Sequence, residues 1–255
     1  MIEIISAIGA VSALMLLFFS IAQYIKNNSI ADIAWGIGFA LIAGSLLVVR
    51  GTYTELQLLV ATLVFIWALR LSTHIAVRQI GKHEDPRYTA WRRSWGAYQA
   101  LGAFVFVFLL QGILMFVVSA PVIAVQLGTL EPIGFFAKLG TLVWIIGFAC
   151  EVIADAQLAS FLKKPENRGR LMTRGLWRYS RHPNYFGEIL LWWGIYIIAL
   201  SVPYGWLSIV GPLTITYLLR YVSGVPLAER SLEHHPEFAR YKETTSILII
   251  WPTKK

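Results

Sequence analysis

The chain has 255 residues, of which 57% are hydrophobic and only 14% are charged, and its mean hydropathy is +0.62. Soluble domains ordinarily carry about 25% charged residues, so this composition excludes an ordinary soluble protein and indicates a polytopic membrane protein. The formal net charge of +8 does not indicate nucleic acid binding, because the basic residues lie in short loops between apolar segments rather than on a folded soluble module.

Seven apolar segments follow one another along the chain and predict an all-α protein with seven transmembrane helices. The first segment has Glu3 ahead of it and no evident cleavage site, so we expect a retained span rather than a signal peptide. No repeat or second domain is indicated, and we expect a single membrane-embedded domain over residues 1–255. The predicted spans are 4–24, 30–49, 55–77, 100–120, 133–160, 183–201 and 205–222.

Three polar segments, 78–99, 161–182 and 223–255, carry most of the basic residues, whereas the opposite connections carry only Arg50 and Lys138. Because basic loops stay on the cytoplasmic side, this bias predicts an outward N-terminus and a cytoplasmic C-terminus. Most of these cations are accounted for by topology and by contact with lipid headgroups. The second segment is richer than topology requires, and its cations could instead bind a phosphorylated ligand.

Several ionisable residues lie within the predicted spans, where each costs about 2.5–3.5 kcal/mol at the membrane centre. They are Asp32, Arg70, His74, Glu151, Asp155 and Glu188. Glu151 and Asp155 are four residues apart, as are Asn184 and Glu188, so each pair shares one helix face. Arg70, His74 and Arg78 form a similar stripe on the third span. These stripes predict a polar cavity that opens toward the cytoplasm, although buried ion pairs that fix helix register would give the same spacing.

The stretch "YSRHPNYFGEILLWWG" places polar residues at the start of the sixth span. Pro183 suits the first turn of a helix, and the free N–H groups at such a helix end favour anions. Gly187 allows the close approach of a flat group or of a neighbouring helix. An anionic cofactor would explain the polar residues around them: Arg181, His182, Asn184 and Glu188.

No other nucleotide or metal motif is present. "GIGFAL" lacks the third glycine of a dinucleotide-binding loop, and no P-loop or nucleophile elbow occurs. His234 and His235 are adjacent, which is poor geometry for one metal ion, and we therefore expect no metal site.

On these residues the chain resembles the steroid 5-alpha-reductase superfamily of membrane proteins, in particular its bacterial branch catalogued as a domain of unknown function (DUF1295). The resemblance covers most of the chain. It rests on "GLWRYSRHPNYFGEILLWWGIY", "DIAWGIGF", "LRLSTHIAVR", "EDPRYTAWR", the span with Glu151 and Asp155, and the tail from Arg220 to Tyr241.

The resemblance implies a seven-helix reductase in a bacterial inner membrane that holds NADPH in a cytoplasm-facing site and reduces a polarised carbon–carbon double bond. Asn184 and Glu188 match residues at the nicotinamide end, and Asp155 matches an acidic residue on span five. Arg170 and Arg220 match cofactor-binding arginines. The expected cofactor-binding set is Glu151, Asp155, Arg170, Arg181, His182, Asn184, Glu188 and Arg220.

The substrate end departs from the steroid enzymes, which use a Glu on span two and a Tyr on span three. Asp32 is the nearest acidic candidate here, and Trp67 stands where the Tyr is expected. We therefore expect a lipophilic steroid- or lipid-like substrate without specifying a steroid. The candidates for the catalytic acid are Asp32, His74 and Tyr185.

Two other functions stay open. Isoprenylcysteine carboxyl methyltransferases share the Arg-His-Pro-x-Tyr signature and a downstream acidic helix, here "AERSLEHHPEFARYKE", and bind S-adenosylmethionine. Asn184 and Glu188 favour NADPH instead. A sterol-reductase branch also shares "RHPNY", and this resemblance likewise favours NADPH. A non-enzymatic lipid-binding protein is the second alternative. The expected partners are a lipophilic substrate and membrane lipids, not nucleic acid, and the sequence does not predict an oligomeric state.

Overall fold

We describe the fold from a computed structural model, which covers residues 1–79, 81–128 and 132–253. All regular secondary structure in these ranges is helical, apart from an isolated parallel bridge between Ser180 and Ser246. The chain forms two compact units. Unit 1 contains residues 1–134 and 201–208, and unit 2 contains residues 135–200 and 209–255. The expectation of a single domain stays a prediction.

Unit 1 contains three long helices followed by a run of shorter ones. The long helices are α1 (Ile2–Ile25), α2 (Ala31–Arg50) and α3 (Glu55–Gln79). The shorter ones are α4 (Pro86–Trp95), α5 (Gln99–Ala103), α6 (Leu110–Val118) and α7 (Ala120–Leu127), with a π-helical stretch, Phe104–Leu109, between α5 and α6. Their core is apolar, and Trp67 of α3 packs edge-on against Phe39 of α2, with ring centroids 5.3 Å apart.

Unit 2 contains one long helix, α8 (Phe135–Leu162), and four shorter ones. These are α9 (Pro183–Ala199), α10 (Val210–Tyr217), α11 (Val225–Arg230) and α12 (Phe238–Thr244). A π-helical turn, Leu218–Val222, follows α10. The indole Nε1 of Trp193 donates to Thr216 Oγ1 at 3.2 Å, so α9 and α10 lie side by side.

Five helices among the described residues are long and apolar enough to cross a membrane. They are Ile2–Ile25, Asn28–Arg50, Glu55–Gln79, the continuous run Pro86–Val118 and Phe135–Leu162. The first five predicted spans are thereby confirmed as membrane-spanning candidates, and the protein is an integral membrane protein by its composition. The sixth predicted span is the 17-residue α9, and the seventh is divided into α10 and its flanking turns.

The helix starts follow local chemistry. Pro183 occupies the first turn of α9, as predicted, where its missing N–H removes no helical hydrogen bond. Asp85 caps α4 by accepting a hydrogen bond from the backbone N–H of Arg87, and Pro86 follows it in the first turn. Gly51 ends α2 with φ of 71°, a conformation that glycine adopts without strain.

Helices α8 and α9 approach each other backbone to backbone at four glycines, which we call the glycine contact. A Cβ added to Gly187 would lie 2.5 Å from Glu151 N and 2.6 Å from Gly147 O. A Cβ on Gly194 would lie 2.8 Å from Gly140 O. The two glycines on each helix are seven residues apart, so both pairs recur on one face of their helix. Gly187 therefore serves the approach of a neighbouring helix, the second of the two roles that its position suggested.

Candidate functional site

The acidic stripe of α8 and the polar stripe of α9 meet in unit 2. Asn184 Nδ2 donates to Asp155 Oδ1 at 3.0 Å. Asp155 is 9% exposed, Glu151 one turn earlier on α8 is 2% exposed, and Glu188 one turn along α9 is 8% exposed. The spacing of these four residues predicted two faces, and the structure brings the two faces together.

One hydrogen-bond acceptor of the Asn184–Asp155 pair has no partner among the described residues. The amide oxygen of Asn184 is buried and makes no hydrogen bond within the described ranges. A buried acceptor of this kind ordinarily has a partner, because an unmade hydrogen bond costs about 1–3 kcal/mol. A neutral donor, such as a carboxamide N–H or a ribose hydroxyl, would satisfy it. The open oxygen can therefore accept a hydrogen bond from an N–H or O–H group of a ligand.

A second group of polar residues lies just before α9 and is centred on Glu229 of α11. Arg181 Nε and His182 Nε2 each lie 3.1 Å from Glu229 Oε1, and Lys242 Nζ lies 3.7 Å from Glu229 Oε2. The Arg181 contact has the distance of an ion pair but lacks hydrogen-bond geometry at Nε. We call these four residues the Glu229 cluster. Sequence reasoning missed Glu229 as an individual residue, and its only signal was the acidic helix downstream of the Arg-His-Pro motif.

Burial and nearby charges set the protonation of the Glu229 cluster. Burial is the main reason that the pKa of His182 lies below its usual value, and the positive charges of Arg181 and Arg220 add to the effect, while Glu229 opposes it. Burial likewise lowers the pKa of Arg181. Arg220 lies on the π-helical turn, with its guanidinium 4.7 Å from the ring centroid of Tyr221. Arg181 and His182 thus share Glu229, and the positive charge of Arg220 contributes to the lowered pKa of both.

The C-terminal segment, residues 244–252, holds the backbone that precedes α9. Arg181 N donates to Ser246 O at 2.8 Å, and Ser180 Oγ donates to Leu248 O at 2.6 Å. The hydroxyl of Tyr241 donates to Trp177 O, and it also lies 3.3 Å from Ser180 O. Burial raises the pKa of Tyr241 well above its usual value, so its hydroxyl keeps the proton that it donates.

Arg170 stands apart from these groups. Its side chain is exposed in the loop after α8, and its backbone N–H donates to Asn167 O at 3.0 Å. The structure therefore does not bring Arg170 into the buried polar groups of unit 2. Tyr185, by contrast, stacks on His182 with ring centroids 5.4 Å apart and an interplanar angle of 11°.

The substrate-end candidates Asp32 and His74 belong to unit 1. Asp32 accepts hydrogen bonds from Tyr88 Oη at 2.7 Å and from Gln79 Nε2 at 3.3 Å, and Arg87 lies 3.6 Å away. These contacts join the start of α2 to the end of α3 and the start of α4, a structural role that sequence alone does not show. His74 is partly buried on α3.

Trp67, which occupies the position expected for a substrate-gripping Tyr, is fully buried against Phe39. In the described parts of the chain, no group of three or more His, Cys, Asp or Glu side chains could hold a metal ion. The predicted cavity involves helices of both units and stays a prediction.

Comparison with known proteins gives one result. A family model described as a protein of unknown function (DUF1295) matches residues 18–245, which is most of the chain. No curated protein and no solved structure matches the chain. The match includes α2 with Asp32, the α8–α9 pair with Asp155 and Asn184, and the Glu229 cluster. The chain belongs to the DUF1295 family.

Proposed function

We propose that this protein is an NADPH-dependent membrane reductase of the steroid 5-alpha-reductase superfamily. It would reduce a polarised carbon–carbon double bond in a lipophilic, steroid- or lipid-like enone. The observation that carries the proposal is the contact between Asn184 and Asp155, with Glu151 and Glu188 buried one turn away on the same two helices.

The chemistry of this group of residues fits a carboxamide. Acceptor oxygens come from Asp155 and from the open amide oxygen of Asn184, and a nicotinamide carboxamide presents two N–H donors. Because the group is buried, these hydrogen bonds are stronger than they would be in water. When bound, NADPH would supply a hydride, and the protein residues would orient the ring and exclude water.

The phosphate-bearing part of the cofactor would require cations. Arg181 and Arg220, whose positive charges both lower the pKa of His182, are the proposed cations for the phosphates. Exposed Arg170 is the candidate for a 2′-phosphate, which distinguishes NADPH from NADH. Asp32, His74 and Tyr185 are the candidates for the group that protonates or polarises the substrate.

The proposal includes seven spans, an outward N-terminus, a cytoplasmic C-terminus and a bacterial inner membrane. At 1.5 Å per residue, α9 is about 26 Å long, and 17 residues is the lower end of the range for spanning helices. The basic segments on one side of the predicted spans support this orientation.

Cofactor binding provides the first test. The full chain is purified in mild detergent, and its melting temperature is measured with NADPH, NADH or S-adenosylmethionine. We expect NADPH to raise the melting temperature most, because a ligand that binds only the folded state stabilises it. Stabilisation by S-adenosylmethionine without any effect of NADPH would show that the reductase proposal is wrong.

Two substitutions locate the cofactor. Glu188→Gln should weaken NADPH binding, whereas Glu233→Gln, at an exposed position of unit 2, should leave it unchanged. Arg170→Ala should weaken NADPH more than NADH. Wild-type affinity for NADPH in Glu188→Gln would remove this residue from the cofactor site.

Activity provides the second test. A lipid and sterol extract is incubated with the protein and NADPH, the oxidation of NADPH is followed, and products are analysed by mass spectrometry. A product heavier by two hydrogens identifies the substrate class. Absence of turnover and absence of nucleotide binding would together favour a non-enzymatic lipid-binding protein.

One observation is compatible with the methyltransferase alternative as well as with the reductase. Glu229 lies in the acidic helix that the isoprenylcysteine carboxyl methyltransferases share, and it contacts Arg181 and His182 of the shared signature. That arrangement is common to both functions, so it does not distinguish them. Asn184 and Glu188 lie outside the shared part and are the residues that favour NADPH.

A further inference from the structure

A cleft of about 400 Å³ lies between Arg181 and the C-terminal segment in unit 2. Its apolar edge includes Ile249 and Trp251, and its polar lining consists of Arg181, Lys242, Glu243, Thr244, Thr245 and Ser246. We propose that this cleft binds the headgroup of an anionic phospholipid, with the phosphate beside the cations and the acyl chains along the apolar edge.

The charge of this region favours an anion. A second cleft, of about 310 Å³, shares Thr244 and Thr245 with the first and adds Arg178 and Arg240. The two clefts together present four cations against two carboxylates, which are Glu243 and Glu237. Glu229 contacts Arg181 and Lys242 without lining either cleft, so the balance stays positive when it is included.

The hydroxyl groups suit a phosphate. Thr245 and Ser246 of the C-terminal segment line the same cleft as the cations, as does Thr244, whose hydroxyl donates to Arg240 O at 3.0 Å. Hydrogen bonds between ionised and neutral groups are shorter and stronger than those between neutral groups. The side chain of Lys242 is 43% exposed and flexible. Its ammonium group can therefore reorient toward a ligand in the cleft.

The apolar edge favours a lipid over a soluble phosphate. The side chains of Ile249 and Trp251 are 60% and 67% exposed. Both residues belong to one of the three basic segments, which are predicted to face the same side of the membrane. Tryptophan concentrates at the level of lipid headgroups, and basic residues next to it attract anionic lipids.

The position of the cleft connects it to the start of α9. The C-terminal segment that forms one wall also accepts hydrogen bonds from Arg181 N and Ser180 Oγ. An occupant of the cleft would therefore stabilise the docked segment and, through it, the Glu229 cluster. This inference does not depend on the identity of the cofactor.

Lipid binding to the full chain tests the proposal. The protein is purified in a neutral detergent and titrated with phosphatidylglycerol or with phosphatidylcholine of the same acyl chains, and bound lipid is counted by native mass spectrometry. We expect phosphatidylglycerol to bind more tightly. Lys242→Gln should weaken that binding about fivefold, as expected for the loss of one cation beside an anionic surface. Lys138→Gln removes an exposed cation at the start of α8, outside the cleft and on the predicted side opposite the three basic segments, and should have no effect.

Trp251→Ala is a second variant whose exposed side chain can be removed with little effect on folding. It should also weaken phosphatidylglycerol binding at an unchanged melting temperature. Equal binding of the two lipids, or equal effects of Lys242→Gln and Lys138→Gln, would overturn the proposal. Displacement of the lipid by inorganic phosphate or by NADPH would assign the cleft to a soluble phosphate and would also overturn it. Binding of NADPH is measured on the same samples, so the two proposals can fail separately.

Discussion

Two regions of unit 2 hold the candidate cofactor residues by different means. The glycine contact brings α8 and α9 together backbone to backbone and so places Asn184 on Asp155. The Glu229 cluster instead positions Arg181 and His182 through side chains and a C-terminal segment more than 60 residues further along the chain. The first region depends on the absence of side chains, and the second depends on charge and hydrogen bonding.

The difference predicts different sensitivities. Close-packed backbones leave no room for added atoms, so the glycine contact should respond to volume and not to pH. A buried charge cluster should respond to the loss of one partner and to protonation. Four substitutions or conditions test this contrast, and the largest effect is expected at Glu229.

Glu229→Ala should be the most damaging change. It leaves Arg181 buried without its anion, and removing one partner of a buried pair costs about 3–5 kcal/mol. The melting temperature in detergent measures the loss, and exposed Glu233→Ala is the matched control. A wild-type melting temperature for Glu229→Ala would show that the Glu229 cluster does not hold this region together.

Gly187→Ala should come next. The added Cβ would meet the backbone of Glu151 and Gly147, neither of which can move without displacing α8, and overpacking of this kind costs about 1–3 kcal/mol. Gly9→Ala is the control, because a Cβ on Gly9 of α1 meets no atom within 4 Å. Alanine is also the better helix former, so Gly9→Ala should leave stability unchanged or raise it. Equal melting temperatures for the two variants would contradict the close approach of α8 and α9.

Tyr241→Phe should have a smaller effect, about 1 kcal/mol, since it removes the hydrogen bond from the hydroxyl to Trp177 O and keeps the ring. The melting temperature measures the stability change. Limited proteolysis of the C-terminal segment should also become faster, because the same hydroxyl lies beside Ser180 O in the docked region. Unchanged proteolysis would show that the segment is held without this hydroxyl.

Acidification should have the smallest effect of the four. Because burial lowers the pKa of folded His182, the unfolded chain binds a proton that the folded chain does not. Stability should therefore be highest above about pH 6.5, the pKa of an unperturbed histidine, and should fall as the pH drops toward the lowered folded pKa. His182→Gln should flatten this dependence in thermal melts across pH 5–8. Gly187→Ala should keep the wild-type slope, which separates the two regions.

Much of the helix arrangement could be predicted from the sequence, because long apolar segments and a proline at a helix start are local signals. The first five spans were predicted in this way and are confirmed as helices long and apolar enough to cross a membrane, and the start of α9 at Pro183 is confirmed as well. The four-residue spacing of Glu151 with Asp155 and of Asn184 with Glu188 predicted a polar face on each helix, and these two faces are in contact in the structure. The hydrogen bond between Asp32 and Tyr88 could not be predicted from the sequence, because the two residues are 56 positions apart.

The sequence by itself determined that this is a helical membrane protein, because apolar length and the rarity of charge decide that question locally. It also determined which polar residues share a helix face. Only the tertiary structure decided that Gly187 faces α8, that Glu229 lies between Arg181 and His182, and that the C-terminal segment docks beside Ser180. Each of these contacts joins residues more than 30 positions apart, and local spacing carries no information about such pairings.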